Sequence, residues 1–144
     1  MELYLYDFSE FENSDVDSHG YFGYPYLDHY WLEKGRHPFL IRVDGKIAGF
    51  VLVNQNTYIS TSNWAISEFF ILRKYRHHGV GKTVAFQVFD IFRGKWEVHE
   101  LACNLPSQEF WRSVIAAYTD GNFTETYLSD NSSQGPIQCF DNTR

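Results

Sequence analysis

The sequence predicts an α/β domain, and a strand–turn–helix unit in the middle of the chain carries most of that prediction. The segment from Ala65 to Leu72 is short and rich in β-branched and aromatic residues, which favours a strand. From Val80 the apolar residues recur at helical spacing as far as Phe92. The chain has 144 residues, of which 44% are hydrophobic, enough for one domain with its own core. We therefore expect a single domain spanning residues 1–144.

Short helices and strands are predicted on both sides of this unit. Residues 1–12 favour a helix over a strand, and residues 13–26 form a loop rich in turn formers. Asp44-Gly45 lies between two apolar segments and favours the tight turn of a hairpin. The predicted order is helices at 1–12 and 26–33, strands at 39–43, 47–55 and 65–72, a helix at 80–92, a strand at 97–104, a helix at 110–118, and strands at 123–128 and 137–140, the last two around a loop at 129–135.

Composition argues against several classes of protein. The formal net charge of −6 argues against a nucleic-acid partner, because such proteins are normally basic. No apolar run approaches the length of a membrane span, and the N-terminal residues lack the basic and apolar regions of a signal peptide. Cys103 and Cys139 give neither a disulfide framework nor metal-ligand spacing. We expect a cytoplasmic protein with no metal and no membrane partner.

The turn before the predicted central helix is basic and contains glycines. A helix N-terminus reached through glycines presents free backbone N–H groups to an anion, and no Cβ blocks the approach. Gly81-Lys82-Thr83 is similar to the second half of a phosphate-binding P-loop, the basis of a kinase alternative. That motif also needs a glycine five residues before Gly81, where Arg76 stands. The loop geometry of a P-loop therefore fails.

A second pattern fits the turn at every defined position. Arg76-His77-His78-Gly79-Val80-Gly81 resembles the pyrophosphate-binding motif of the GNAT superfamily, the acetyl-CoA-dependent N-acetyltransferases, which is Arg/Gln-x-x-Gly-x-Gly/Ala. The order of predicted elements resembles that fold over essentially the whole chain. Residues 7–11 and 23–28 are also similar to a small bacterial subgroup known as predicted acetyltransferases. The resemblance implies a mixed, mostly antiparallel central sheet flanked by helices.

The chain departs from the family at its N-terminus. Family members open with a β-strand before the first helix, and residues 1–12 leave no room for it. Either the first family strand is missing, or residues 1–6 replace it, or the sequence begins after it, and a missing strand leaves a sheet edge that needs covering. A homodimer in which the partner subunit covers this edge is the simplest arrangement.

The resemblance implies acetyl-CoA as co-substrate. Its pyrophosphate would lie on the backbone of the turn, with charge-assisted contacts from Arg76 and Lys82. Its pantetheine arm would pair with the preceding strand, and the acetyl group would lie where the strand beginning at Glu97 diverges from that strand. The residues implied are Phe70, Ile71, Leu72, Arg76, His78, Gly79, Val80, Gly81, Lys82, Thr83 and Asn104, the last matching the family's asparagine after the diverging strand.

The resemblance also points to catalytic residues. Glu68 stands eight residues before the motif arginine, where many family members place an acidic residue, and is expected to be the general base. Strand alternation predicts that Glu68 shares a face with Ile66 and Phe70. A solvent-facing carboxylate is the alternative, with His99 or water as base. The position of the family's tyrosine acid holds Trp111, so Tyr118 is the substitute acid, with core packing as the alternative.

Four tyrosines accompany acidic residues in the region where the family builds its acceptor pocket: Tyr21, Tyr24, Tyr26 and Tyr30. Carboxylates beside tyrosine rings suit a cationic amine, although an aromatic cluster that pins a loop is an equal alternative. The sequence as a whole predicts an N-acetyltransferase that acts on a primary amine of a small molecule or peptide. A non-catalytic acyl-CoA-binding or sensor module, indicated by Trp111, and a nucleotide-binding kinase remain as alternatives.

Overall fold

The fold is built around a six-stranded sheet with helices on both faces. The computed structural model describes residues 1–128 and 135–143. The strands are β1 (Arg36–Val43), β2 (Lys46–Asn54), β3 (Trp64–Ile71), β4 (Lys95–His99), β5 (Thr124–Tyr127) and β6 (Pro136–Asp141). The helices are α1 (Glu2–Glu12), α2 (His29–Leu32), α3 (Val80–Ile91) and α4 (Leu105–Thr119). Residues 129–134 of the predicted closing loop lie outside the described residues.

The sheet has the strand order β1-β2-β3-β4-β6-β5. Every neighbouring pair is antiparallel except β3 with β4. This arrangement confirms the predicted mixed, mostly antiparallel sheet. Among the described residues β1 pairs with β2 alone, so it forms an edge of the sheet. Pro38 and a register shift between Ile41 and Arg42 interrupt that edge, as edge strands of natural sheets often do.

One irregularity in β3 decides which side of the sheet its side chains reach. On β2, Leu52 pairs with Glu68 and the next residue, Val53, pairs with Ile66. Ser67 is therefore the extra residue of a bulge. Ile66 belongs to the core under α3 and α4, whereas Glu68 contacts Tyr4 of α1 on the other face. The prediction that Glu68 shares a face with Ile66 is wrong, because strict alternation does not survive a bulge.

The parallel strands β3 and β4 pair only over their first residues. The paired residues are 64–66 of β3 and 96–98 of β4, so residues 67–71 of β3 have no partner strand on this side among the described residues. After His99 the chain no longer runs beside β3. The Glu100 amide donates instead to the Pro136 carbonyl of β6, at 3.2 Å. We call the space between residues 67–71 and the chain after β4 the cleft.

Helix α4 begins earlier than the sequence prediction placed it. Its N-cap is Asn104, whose Oδ1 accepts a hydrogen bond from the Ser107 amide at 3.2 Å, and Pro106 lies in the first turn. The predicted strand at 97–104 is correspondingly too long. The five residues between His99 and Leu105 thus connect β4 to α4 and form one wall of the cleft.

Candidate functional site

A cavity of about 650 Å³ occupies the cleft. Its walls come from α1, the unpaired half of β3, the turn before α3, the segment after β4 and the start of α4. Six of the predicted site residues line it: Glu68, Phe70, Ile71, Arg76, Gly81 and Asn104. The other predicted cofactor residues, which do not line it, lie in or beside the turn: Leu72, His78, Gly79, Val80, Lys82 and Thr83.

The turn places the uncapped N-terminus of α3 at one end of the cavity. No side chain caps α3, so its first backbone N–H groups have no side-chain acceptor. Its N-cap residue, Gly79, has φ 77°, and a Cβ there would meet nothing within 4 Å. At Gly81, by contrast, a Cβ would lie 3.1 Å from the Phe110 ring. Gly79 is thus required by backbone conformation and Gly81 by the packing of α3 on α4.

Arg76 is engaged in two contacts at the cavity wall. Its Nε donates to the Ile71 carbonyl at 2.7 Å, and its Nη2 donates to the Asp7 carboxylate of α1. Arg73 contacts the same carboxylate at 2.6 Å. Partial burial alone would raise the pKa of Asp7, but the two guanidinium groups outweigh it and hold the pKa below its usual value. Asp7 therefore joins α1 to the basic turn as a carboxylate.

Glu68 lies in the cavity between two tyrosine hydroxyl groups. Tyr4 of α1 and Tyr24 of the following loop both donate to its carboxylate, Tyr24 at 2.9 Å. Burial raises the pKa of Glu68, and the two hydroxyl donors partly offset that rise. Burial and the nearby Glu68 charge raise the pKa of both tyrosines, which keeps them as donors. The alternative of a solvent-facing carboxylate does not describe this geometry.

Of the four acceptor tyrosines, the structure brings only Tyr24 to Glu68. Tyr30 is buried and accepts a hydrogen bond from Asn54 Nδ2 at 3.1 Å, which fastens α2 to the sheet. Tyr21 and Tyr26 are 60% and 57% exposed. The second partner of Glu68, Tyr4, was missed in the sequence analysis, because nothing in the sequence pairs two residues that are 64 positions apart.

Tyr118 does not reach the cavity. Its hydroxyl donates to Asp90 at 2.8 Å, and its ring packs on Phe86 and Phe89. The structure therefore gives no support to Tyr118 as the acid, and its contacts match the core-packing alternative. Trp111, at the position of the family's tyrosine, is 4% exposed and lines the cavity while packing on Phe69.

Another carboxyl group that lines the cavity, Glu100, was not singled out in the sequence analysis. Glu100 is 4% exposed, and neither of its carboxyl oxygens has a hydrogen-bond partner among the described residues. Burial raises its pKa to about 8. The signal available in the sequence was an acidic residue beside Leu101 at the end of an apolar strand. The neighbouring His99 is half-buried, which lowers its pKa, and its ring lies 5.0 Å from that of Tyr58.

The cleft and the turn combine two features that an extended anionic ligand requires. A parallel pair of strands that separates beside an uncapped, glycine-containing helix N-terminus provides an extended groove with an anion site at one end. The sequence profile of the acetyltransferase (GNAT) family matches residues 3–114. The chain belongs to this family, and the kinase alternative has no support from that match.

Solved structures of acetyltransferases share the fold at low sequence identity. A GNAT-family acetyltransferase from Staphylococcus aureus is 16% identical with a TM-score of 0.62, over 97% of this chain and 89% of that one. A Bacillus subtilis acetyltransferase in complex with CoA is 12% identical with a TM-score of 0.58, over 82% and 84%. The ribosomal-protein-S18-alanine N-acetyltransferase of Escherichia coli is 13% identical with a TM-score of 0.55, over 83% and 79%.

Three negative findings stand beside these similarities. None of the curated protein sequences matches this chain significantly. Among the helices of residues 1–128 and 135–143, none combines the length and apolar character needed to cross a membrane. In the same part of the chain, no three His, Cys, Asp or Glu side chains are grouped so that they could hold a metal ion.

Proposed function

We propose that this protein transfers the acetyl group of acetyl-CoA to a primary amine, with Glu68 as the general base. The observation that carries the proposal is the position of Glu68, a half-buried carboxylate inside the cleft, between two tyrosine donors. An amine must lose a proton as it attacks a thioester, and a carboxylate of raised pKa is suited to accept it.

The residues around the cleft fit acetyl-CoA along its length. The uncapped N-terminus of α3 would hold the pyrophosphate, as a helix N-terminus generally holds anions. The unpaired edge of β3 would pair with the pantetheine amides. The Phe70 carbonyl lies close to Gly49 of β2, so by strand alternation the Ile71 carbonyl points towards the cleft. Arg76 holds that carbonyl, and binding at Ile71 therefore requires the Arg76 side chain to move.

The acceptor is proposed only as an amine. Tyr24 is positioned to contact it, because its hydroxyl is already bonded to Glu68. The structural similarity to the Escherichia coli ribosomal-protein-S18-alanine N-acetyltransferase makes a peptide amine a reasonable acceptor beside small molecules. Tyr21, Tyr26 and Tyr30 are not at Glu68, and their proposed part in binding is limited to shaping the loop. The cytoplasmic location expected from the sequence stays a prediction.

The deciding experiment measures release of CoA thiol from acetyl-CoA with a panel of amines. The panel contains spermidine, lysine, benzylamine and a short peptide with an N-terminal alanine. Turnover with any of them, abolished by Glu68→Gln, would support the proposal. Tight CoA binding without turnover of any amine would favour the acyl-CoA-binding or sensor alternative.

A pair of glycine substitutions tests the CoA site itself. Gly79 and Gly121 both have positive φ, 77° and 80°, and a Cβ added at either position would meet nothing within 4 Å. Replacing either with alanine should strain the backbone to a similar extent. We expect Gly79→Ala to weaken CoA binding by about 10- to 100-fold, the equivalent of a lost hydrogen bond to a charged group. Equal CoA affinities of the two variants by calorimetry would exclude the turn as the pyrophosphate site.

The free edge of the sheet leads to a separate prediction about assembly. The sequence predicted a homodimer that covers the edge, and β1 does present an edge, although Pro38 interrupts its backbone donors. Leu40 on this strand is 56% exposed. Sedimentation velocity across a range of concentrations would show a dimer that Leu40→Lys dissociates. A wild-type monomer at the highest concentration would contradict the prediction.

A further inference from the structure

We propose that Glu100 is the acid that protonates the sulfur of CoA as the acetyl group leaves, an inference that rests on the proposed acetyl transfer. The position where the family has a tyrosine holds Trp111, and the hydroxyl of Tyr118 is bonded to Asp90 outside the cavity. Among the described residues of the cavity, Glu100 is the carboxyl group that is nearly fully buried and has no hydrogen-bond partner.

The surroundings of Glu100 differ from those of Glu68. It follows β4 across the cleft, and the charged groups that influence it are Glu125 of β5 and Arg112 of α4. These two form an ion pair at 2.7 Å, so their charges largely cancel at Glu100. Glu100 therefore lies on the side of α4, whereas Glu68 lies on the side of α1.

Gln138 on β6 lies beside Glu100 without supplying a hydrogen bond to it. Its amide acts on Glu100 as a weak donor that favours the charged form, and this influence is smaller than the opposite effect of burial. The Nε2 of Gln138 donates instead to Glu125 at 2.8 Å. Both carboxyl oxygens of Glu100 therefore remain without a partner among the described residues, and a buried carboxyl group without a donor favours the neutral acid.

The proton transfers balance with Glu68 and Glu100 in opposite roles. The amine nitrogen forms a bond to the acetyl carbon, and Glu68 takes one proton from that nitrogen. When the carbon–sulfur bond breaks, its electron pair stays on sulfur, and the proton of Glu100 passes to the sulfur to give the thiol. Glu68 then releases its proton to solvent, and Glu100 takes one up.

Burial suits Glu100 for this role. Its pKa of about 8 keeps it protonated at neutral pH, with the amide of Gln138 and the charge of Arg112 opposing a larger rise. Glu68 has two hydroxyl donors at hydrogen-bond distance that favour its charged form, and Glu100 has none at that distance. The two carboxyl groups of one cavity are therefore held in different protonation states, as acid and base catalysis requires.

The test compares Glu100→Gln with Glu109→Gln, an exposed residue of α4 that makes the same change in charge outside the cavity. With the best amine of the panel, we expect kcat of Glu100→Gln to fall by about 10²-fold, with CoA affinity retained. The wild-type pH profile of kcat should decline above about pH 8, where Glu100 loses its proton. That decline should be absent in Glu100→Gln and unchanged in Glu109→Gln.

A second measurement needs neither turnover nor acetyl-CoA. Infrared spectra of the wild-type protein at neutral pH should contain a protonated-carboxyl band that titrates near pH 8 and is missing in Glu100→Gln. Turnover by the wild type, with equal kcat and pH profile in Glu100→Gln, would overturn the acid role and leave the acetyl transfer standing. Absence of the infrared band would overturn the neutral state of Glu100. Failure of the wild type to acetylate any amine would overturn the proposed function and the acid role with it.

Discussion

Glu68 and Glu100, two of the carboxyl groups that line the cleft, differ most in what surrounds them. Glu68 lies on β3 and accepts hydrogen bonds from two tyrosine hydroxyl groups. Glu100 follows β4, is 4% exposed and has no hydrogen-bond partner among the described residues. Burial raises the pKa of both groups, but only at Glu68 do hydroxyl donors to the charged form counter it. Similar positions at one cavity can therefore serve opposite proton transfers.

The comparison shows that hydrogen-bond donors, as well as burial, decide which form of a carboxyl group is stable. A donor stabilises the carboxylate, whereas burial without a donor stabilises the acid. The tyrosines reach Glu68 from α1 and the loop before α2, whereas neither oxygen of Glu100 has a donor among the described residues. Different surroundings therefore set the protonation states of Glu68 and Glu100.

The largest expected effect comes from Glu68→Gln, which keeps the shape of the side chain and removes its basicity. We expect the acetylation rate at neutral pH to fall by roughly 10²–10⁴-fold, with CoA affinity unchanged. The loss should shrink at high pH, because more of the amine is then already deprotonated. A variant with wild-type rate and pH profile would leave His99 or water as the proton acceptor.

A smaller effect is expected when the donors of Glu68 are removed one at a time. Tyr4→Phe or Tyr24→Phe deletes a hydrogen bond to the charged form, so the pKa of Glu68 should rise further. The acidic limb of the kcat/KM profile should then move upwards by about one pH unit. Tyr6→Phe, an exposed tyrosine of the same helix as Tyr4, is the matched control. If all three variants keep the wild-type limb, the tyrosines do not set the basicity of Glu68.

The smallest effect is on stability and concerns Glu100. Its folded-state pKa of about 8 lies above the ordinary value of 4.5, so the folded state binds more protons between these two pH values. Stability from this group is therefore lost as pH rises from about 4.5 to 8. Glu100→Gln should flatten that part of the melting-temperature profile by several degrees relative to Glu109→Gln. Parallel profiles of the two variants would indicate an ordinary pKa at Glu100.

The sequence predicted those parts of the fold whose signals are local. Helix α3 begins at Val80 as predicted, because its apolar spacing and the preceding glycines lie within a few residues of one another. The early start of α4 was missed, although Asn104 and Pro106 form a recognisable cap and first turn. The bulge at Ser67 has no signal of its own, since it exists only in relation to the register of β2.

The site was predictable where the family resemblance reached and not beyond. Arg76, Gly79 and Gly81 occupy the expected turn, and Glu68 lies in the cavity. The roles of Tyr4 and Glu100 depend on contacts across long sequence separations, which composition and spacing do not encode. Tyr118 has the residue type expected of the acid and lies near the expected position in the sequence. Its ring nevertheless packs on Phe89, and its hydroxyl donates to Asp90, so its contacts could not be predicted from residue type and spacing.

The bulge at Ser67 makes β3 tolerant of a change in its length at this one position. Ser67 is the extra residue opposite the step from Leu52 to Val53, so that Glu68 faces α1 while Ile66 faces the core. Loss of its codon would make Ile66 and the carboxylate consecutive residues, and regular alternation would keep them on opposite faces of the sheet. A one-residue change in the regularly paired part of a strand instead turns the residues beyond it to the other face, where an unpaired charge is strongly disfavoured. For a gene under selection at this site, in-frame loss of the Ser67 codon should therefore be tolerated more readily than the loss of a neighbouring codon.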